Sequence, residues 1–482
     1  MRVLPGSGLL PNPETAAHWR WRPMMAVAIL GSIICGTLMV LKSEVHRPDS
    51  GDAREYLIPA YNLYHFGKYG DRLSAYPTSS VTREPGYAVL LASMFALDPA
   101  FSQVTQKCLR SGPGCPPAAY HAAQWVNRGL AVGAGLILLL AGTLLTRHWV
   151  GGVIAGFVIW VNSRLLKDLN YLISDALALF LVTVAILLLL LAWQRKSSTL
   201  WALSGFAIAA LTLTKAVYFY FGLVVCVVLV VACFRQWWST QSPGRITTLA
   251  AVLFALAFLT PTSLWMKRNA AIGGEYVITD HSRAAIVLGT REAFNHFTPA
   301  QYAAAFIHWT RGFGDNLARA LFEPEVWKPF ELDNPEGFYQ SAVGRVRGRV
   351  DELVKEHGLP HDEAFKVARN EVIGAILSRP TAYALTTPAV IYRGIWADEF
   401  APFSVPLLTA GLWFAFRRRQ WEVWWALSPG VYSLIFYALV SYNIPRYQTT
   451  AAPALALAMA LGIVALLGYL RKRLARFQHV SS

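Results

Sequence analysis

The chain has 482 residues, 55% of them hydrophobic and 15% charged, where an average soluble protein carries roughly 25% charged residues, so the composition argues against a purely soluble enzyme. Its 43 Lys and Arg against 28 Asp and Glu give a formal charge of +15, but the mean hydropathy is +0.38 and no basic stretch forms an extended exposed surface, which removes nucleic acid as a partner. One membrane domain with a large extramembrane insertion accounts for the length better than three soluble domains do.

Runs of about 20 apolar residues can cross the hydrocarbon as helices. Ten spans are predicted, at 23–41, 125–145, 149–162, 171–193, 200–214, 217–234, 246–265, 403–416, 421–440 and 449–470. The first lacks an obvious small-residue cleavage site and is followed by further spans, so it is read as a retained helix. With the N-terminus inside, the cytoplasmic connections hold Arg147, Arg195, Lys196, Arg235, Arg245 and Arg417 to Arg419, and the tail holds Arg471, Lys472, Arg473 and Arg476, as the positive-inside rule requires. One further span would put the Arg417 to Arg419 cluster on the wrong side. The short apolar stretches 86–97 and 383–396 are therefore predicted as interfacial or re-entrant helices, a placement suited to lipid substrates.

The predicted organisation is a cytoplasmic N-terminus (1–22), a membrane domain (23–265) with a first outward loop (42–124), a large periplasmic region with interfacial helices (266–402), C-terminal transmembrane helices (403–470) and a basic cytoplasmic tail (471–482). Counting Arg2, Arg20 and Arg22, the cytoplasmic segments carry 15 basic residues against Glu14 and Glu422, the large outward region 15 against 17 acidic, and the remainder 13 against 9. Most of the basicity is thus a topology signal, and the small surplus near the first outward loop is what could meet an anionic lipid phosphate.

The stretch after the first span reads Ser50-Gly51-Asp52-Ala53-Arg54-Glu55-Tyr56, followed by Tyr61-Asn62 and Gly67-Lys68-Tyr69-Gly70. Asp52 lies a few residues beyond the membrane exit, at the start of a surface helix. Two roles are open to it: an N-cap, or a general base taking a proton from an acceptor hydroxyl. Next comes Thr82-Arg83-Glu84-Pro85-Gly86-Tyr87. Arg83 can clamp a phosphate with two donors or snorkel at the interface, and Glu84 is a candidate second carboxylate near Asp52.

Cys108 and Cys115 flank Leu-Arg-Ser-Gly-Pro-Gly in an outward loop, a spacing that a turn can close in a compartment that permits oxidation. A disulfide is expected, with two free thiols as the alternative, and a zinc site would need more ligands than the loop offers. Cys35, Cys226 and Cys233 fall in apolar spans and read as buried, unreactive thiols. Lys215 stands between two apolar spans, where a charge is costly unless it reaches water or a partner; snorkelling from a tight turn is its other reading.

In the large outward region Val343, Val346, Val350 and Val354 recur at helical spacing, and 364–377 forms a second helical pattern stopped by Pro380. Cooperative folding onto the membrane part is expected. Trp309, Trp327, Phe338, Tyr339 and Trp396 are read mainly as interfacial anchors, with sugar stacking the other use of such rings. His281 and Arg283 could line the acceptor side or belong to a solvated loop.

These landmarks, in order, resemble the GT-C superfamily of integral-membrane glycosyltransferases, especially the bacterial protein O-mannosyltransferase and aminoarabinose-transferase branch (dolichyl-phosphate-mannose-protein mannosyltransferase-like). An acidic residue follows the first span (Asp52), then Tyr61 and Asn62, then an Arg-x-Pro-Gly-Tyr motif (Arg83, Pro85, Gly86, Tyr87). Ile173-Ser174-Asp175-Ala176-Leu177 opens a span, Leu213-Thr214-Lys215 closes one, Lys267-Arg268-Asn269 follows the seventh and Pro445-Arg446-Tyr447 precedes the last.

The resemblance implies an all-α polytopic membrane protein: a GT-C-like helical bundle of about ten transmembrane helices, interfacial helices and a mainly helical outward region. It implies transfer of a hexosyl or pentosyl group from a polyprenyl-phosphate sugar donor to a lipid, glycan or protein acceptor on the periplasmic face of a bacterial inner membrane, with inversion. Asp52 would be the base, and Arg83, Lys215, Arg268 and Arg446 would bind the donor phosphate, where cations stabilise the departing group. Asp175, commonly Glu in family members, could cap its helix, orient Arg83 or Lys215, or hold a cation; with Glu84 it forms the supporting carboxylate set. Tyr56, Tyr61, Asn62, Tyr87, His281 and Tyr447 are the acceptor or pocket candidates. No cofactor is expected. A divalent metal stays open, because some GT-C relatives use one, although no Asp-x-Asp motif occurs in the first outward loop.

Two other readings remain. A multi-span secondary transporter would show paired repeats with broken helices at the bilayer midplane, whereas the charges here collect at the outward ends of spans. A lipid-linked glycan polymerase or ligase keeps the donor and changes the acceptor.

Overall fold

A computed structural model describes residues 21–41, 49, 51–110, 114–238, 247–280, 282–310, 312–395 and 401–480. Among these residues every regular element is a helix. Six helical segments are long and apolar enough to cross a membrane: Pro117–Thr146, Asp175–Arg195, Tyr218–Arg235, Thr248–Gly273, Trp421–Val440 and Ala452–Arg471. Four more of the predicted spans fall on the shorter apolar segments Ala26–Cys35, Trp149–Trp160, Ser198–Thr212 and Val405–Arg417. The stretches predicted to lie at the interface form Pro85–Leu97 and the body of Pro380–Ile395, with Trp396 outside the described residues.

The bundle core is continuous from Leu138 and Trp160 through Leu179, Val182, Ile186, Trp201 and Phe254 to Leu455 and Leu457, all buried. Burying such a side chain stabilises by about 1.5–3 kcal/mol where water is the alternative, but in lipid the gain comes from close packing, which favours small residues at contacts. Helix Trp149–Trp160 shows this: a Cβ on Gly152 would lie 2.2 Å from the Leu139 carbonyl oxygen and 2.0 Å from Thr143 Oγ1. Glycine there lets this short helix lie flat on His121–Thr146. Outward-facing positions stay apolar, with Val224, Val227, Val231 and Phe234 of Tyr218–Trp238 exposed, the pattern of a helix covered by lipid.

The helices between 282 and 395 dock on the end of Trp421–Val440. Phe294, Trp309 and Phe330 pack with Tyr442 in one aromatic nucleus. Fully buried Arg291 donates through Nε to the Ala438 carbonyl (2.9 Å) and through Nη2 to the Tyr383 carbonyl and Thr387 Oγ1 (2.8 Å each). A second nucleus joins Val346, Val350 and Leu353 to Ala364, Phe365 and Ala368, so the helices Phe338–His357 and His361–Leu377 pair along the valine stripe read in the sequence.

Candidate active site

Three segments far apart in sequence converge where the long helices end. Asp52 sits in the single turn Gly51–Ala53, ahead of helix Arg54–Phe66. Asp175 is the first residue of Asp175–Arg195, where a carboxylate also meets the positive end of the helix dipole. Arg446 lies in the short turn Pro445–Thr450 that precedes the last helix.

The side chains form a path of alternating charge. Lys215 Nζ donates to Asp175 Oδ1 at 2.6 Å. Arg446 donates through Nε to Asp175 Oδ2 at 2.7 Å and through Nη1 to Asp52 Oδ2 at 2.6 Å. Arg83 reaches the other Asp52 oxygen at 3.5 Å and pairs with Glu55, with Nε to Oε2 at 2.6 Å. The two aspartates differ in exposure: Asp175 is 5% exposed and Asp52 42%, with Lys215 at 12%, Arg446 at 24% and Arg83 at 10%. Two cations, Lys215 and Arg446, thus meet the buried Asp175, while the more exposed Asp52 lies between Arg446 and Arg83. Burial disfavours charge on Arg446, but the carboxylates of Asp175 and Asp52 more than offset it and hold the guanidinium pKa above its usual value.

The N-cap position of helix Arg54–Phe66 is Ala53, without a side-chain cap bond, and the Asp52 carboxylate faces Arg446 and Arg83 instead. Lys215 is not snorkelling: the turn after Ser198–Thr212 points its ammonium group at a buried carboxylate. Of the side chains considered as its partners, Asp175 meets Lys215, together with Arg446.

The Arg83 segment is fixed by close backbone approach. Gly86 N–H donates to the Leu213 carbonyl at 2.7 Å, and a Cβ on Gly86 would meet that oxygen at 2.9 Å and Thr214 Oγ1 at 2.4 Å. Glu84, expected as a second carboxylate near Asp52, instead accepts from the Ala216 N–H at 3.0 Å, two residues from the start of helix Tyr218–Trp238. Glu55 is the carboxylate beside Arg83. It belongs to the same stretch as Asp52 and escaped assignment, although three residues along one turn bring two side chains to the same side.

Arg268, expected on the donor phosphate, is committed elsewhere. Its guanidinium donates to the Ser80 carbonyl (2.6 Å), Asn269 Oδ1 (2.8 Å) and the Tyr69 carbonyl (3.0 Å) and lies over the Trp265 ring at 4.6 Å. It braces the site indirectly, since the Tyr69 hydroxyl donates to the Glu84 carbonyl at 2.9 Å.

Among the pocket candidates, Tyr56 is closest to the charges. Its hydroxyl shares a 3.0 Å hydrogen bond with Ser174 Oγ and accepts from Arg83 Nη1 at 3.4 Å, and Arg83 lies over its ring at 4.8 Å. Burial pushes this phenol up to about 12, so it is a neutral donor at physiological pH. Tyr447, beside Arg446, stacks on Tyr437 with centroids 4.8 Å apart. Tyr61 packs on His65 and Phe95, Asn62 donates to the Gly70 and Arg72 carbonyls, and Tyr87 donates to Asn127. These three hold the scaffold around the cluster. His281 lies outside the described residues.

Cys108 and Cys115 are bonded to each other, and their loop is tied to the segment that carries Asp52. Buried Asp49 accepts from the Cys115 N–H at 3.1 Å and from the Tyr120 hydroxyl at 3.2 Å, and Arg54 donates to the Leu109 carbonyl.

No family model and no curated protein matches the sequence. Solved structures do. The apo oligosaccharyltransferase of Archaeoglobus fulgidus aligns over 94% of this chain and 52% of its own, with 14% identity and a TM-score of 0.50. The same organism's oligosaccharyltransferase AglB, in complex with an inhibitory peptide and a dolichol-phosphate, gives 96%, 52%, 14% and 0.48. The form tethered to an acceptor peptide gives 93%, 50%, 14% and 0.47. The chain thus spans about half the length of the structures it matches, and what it shares with the apo oligosaccharyltransferase is its fold.

Proposed function

We propose that this protein is an inverting membrane glycosyltransferase that moves one sugar from a polyprenyl-phosphate donor to an acceptor, in the manner of the O-mannosyltransferase and aminoarabinose-transferase branch. The observation that carries this reading is the Asp175–Arg446–Asp52 path: cations held around a buried carboxylate at one end, an accessible carboxylate at the other. Its setting on an oligosaccharyltransferase fold supports the same class. In this reading the protein is a ten-span protein of a bacterial inner membrane, with both termini cytoplasmic, the cluster on the periplasmic face, and Pro85–Leu97 and Pro380–Ile395 at the lipid surface.

Asp52 takes the acceptor O–H proton as the acceptor oxygen attacks the anomeric carbon. The bond from that carbon to the phosphate oxygen breaks, and polyprenyl phosphate leaves with its electron pair. The charge growing on the leaving group is what Lys215, Arg446 and Arg83 stabilise.

The test is transfer from synthetic polyprenyl-phosphate sugars by the purified protein in nanodiscs, with Asp52→Asn alongside. Glycosylated product from wild type and none from the variant is expected. Solute uptake into proteoliposomes with no glycosylated product, or normal turnover by folded Asp52→Asn protein, would sink the proposal.

A further inference from the structure

The helices between 282 and 395 line an open cavity of about 850 Å³, whose lining includes His308, Trp309, Lys328, Phe330, Asp333 and Arg393 and none of Asp52, Arg83, Asp175, Lys215 or Arg446. That volume suits a small ligand. Arg393, from helix Pro380–Ile395, is only 5% exposed. Its guanidinium lies 3.6 Å from the Tyr442 ring centroid and 5.0 Å from that of Trp309. No carboxylate pairs with it among the described residues, and its buried Nη1 has no hydrogen-bond partner. Burial draws its pKa down to about 10, which leaves it charged. A second buried donor on the lining, Trp309 Nε1, is also without a partner.

Arg393 Nη1 and Trp309 Nε1 can only donate, so the group that completes them must supply acceptor oxygens; the third unpartnered atom of the lining, His308 Nδ1, already lies 3.3 Å from Asp315 Oδ1. A buried cation facing only aromatic rings also calls for negative charge. The rim has the opposite character. Asp315 is 69% exposed beside His308, Glu331 pairs with Arg319 at 3.1 Å, and Asp333 is exposed. Carboxylates at a solvated edge accept from hydroxyls.

We propose that this cavity binds a carbohydrate bearing one anionic group, a carboxylate or a phosphate, with the anion on Arg393 and the ring hydroxyls toward Asp333 and Glu331. The site rests on its own geometry, and its test reads binding, so it stands or falls separately from the transfer reaction.

Equilibrium binding of glucuronate, glucose 6-phosphate, glucose and inorganic phosphate to the full chain in nanodiscs decides the matter. At least one sugar anion should bind tenfold or more tightly than glucose; preference for glucuronate identifies a carboxylate, preference for glucose 6-phosphate a phosphate. Arg393→Gln should reduce that binding to the level of glucose. Arg393→Lys, which keeps the charge but not the planar fork, should weaken it severalfold. Asp333→Ala, an exposed substitution that does not threaten folding, should erase the preference of the sugar anion over inorganic phosphate. Equal binding of glucose and both sugar anions would overturn the proposal, as would unchanged binding in the folded Arg393 variants or an intact sugar preference in Asp333→Ala.

Discussion

Replacing Arg446 by Gln removes the cation shared by Asp175 and Asp52. Arg446 is 24% exposed, so its field is screened less than that of a surface residue. At about 4 Å and an effective dielectric near 20, one unit charge acting on another amounts to about 4 kcal/mol. Removing a single donor from a developing oxyanion costs about 2.7–4 kcal/mol, and the two estimates agree on a fall in kcat of about 10²–10³-fold. Arg446→Lys keeps the charge, but one ammonium group cannot span both carboxylates as the Nε and Nη1 atoms do, so about a tenfold loss should persist. The assay is single-turnover transfer in nanodiscs at saturating donor, with folding checked by gel filtration and thermal shift. If folded Arg446→Gln turned over within about threefold of wild type, Arg446 would not act on the transition state and the phosphate assignment would fall.

Asp52→Asn should lower turnover by about 10²–10⁴-fold while changing stability by no more than about 1 kcal/mol, because its ion pair is 42% exposed on the carboxylate side; parallel kinetics and thermal shift check both. Lys215→Met strips Asp175 of one of its two cations and should destabilise by about 3–5 kcal/mol; adding Asp175→Asn should return part of that loss in a double-mutant cycle. Gly86→Ala forces the Arg83 segment away from Leu213 and Thr214 and should cost about 1–3 kcal/mol, read as a lower melting midpoint together with reduced turnover. Reducing the Cys108–Cys115 bond, which closes a loop with a sequence separation of 7, should cost about 2.5 kcal/mol in chain entropy. Hydrogen exchange should then rise at 51–57, which that loop braces, and stay unchanged at 179–190.

The helices were legible because hydropathy is local and additive: a run of apolar residues declares itself without knowledge of its neighbours. The valine stripe Val343, Val346, Val350 and Val354 was legible for the same reason. Lys215 stood out because a charge beside an apolar run is costly and needs a partner, Asp52 by its place after the first span, and Asp175 and Arg446 through the resemblance, but the sequence does not say which charge answers which. Lys215 and Asp175 are 40 residues apart and Arg446 and Asp52 394 apart; only the packing of the bundle joins them. Arg268 and Asn62 were harder still, since their partners are backbone carbonyls, and every residue carries one. Arg393 gave no signal at all: an Arg among aromatic and apolar residues looks like an interfacial anchor until the cavity beside it is seen.

The cluster has a property that follows from its composition. Glu55, Asp52 and Asp175 balance Arg83, Arg446 and Lys215, so the site as it stands offers an incoming phosphate no excess of positive charge. In the proposed reaction a phosphate-linked donor would bind by exchange, taking guanidinium bonds that Asp52 now holds. Asp175 is poorly placed to yield them, being 5% exposed and engaged by two cations, whereas Asp52 is 42% exposed and can turn to solvent or to an acceptor. The exchange therefore falls on Asp52. Its two carboxylate oxygens face Arg446 and Arg83; in the proposed reaction phosphate would take over those guanidinium donors and leave the carboxylate to accept from the acceptor hydroxyl. Donor binding would thus switch on the base, and an acceptor arriving first would meet a carboxylate still held by Arg446. That predicts an ordered mechanism: acceptor analogues should inhibit uncompetitively against donor in wild type, and the order should be lost in Arg446→Lys, where Asp52 is no longer held as tightly.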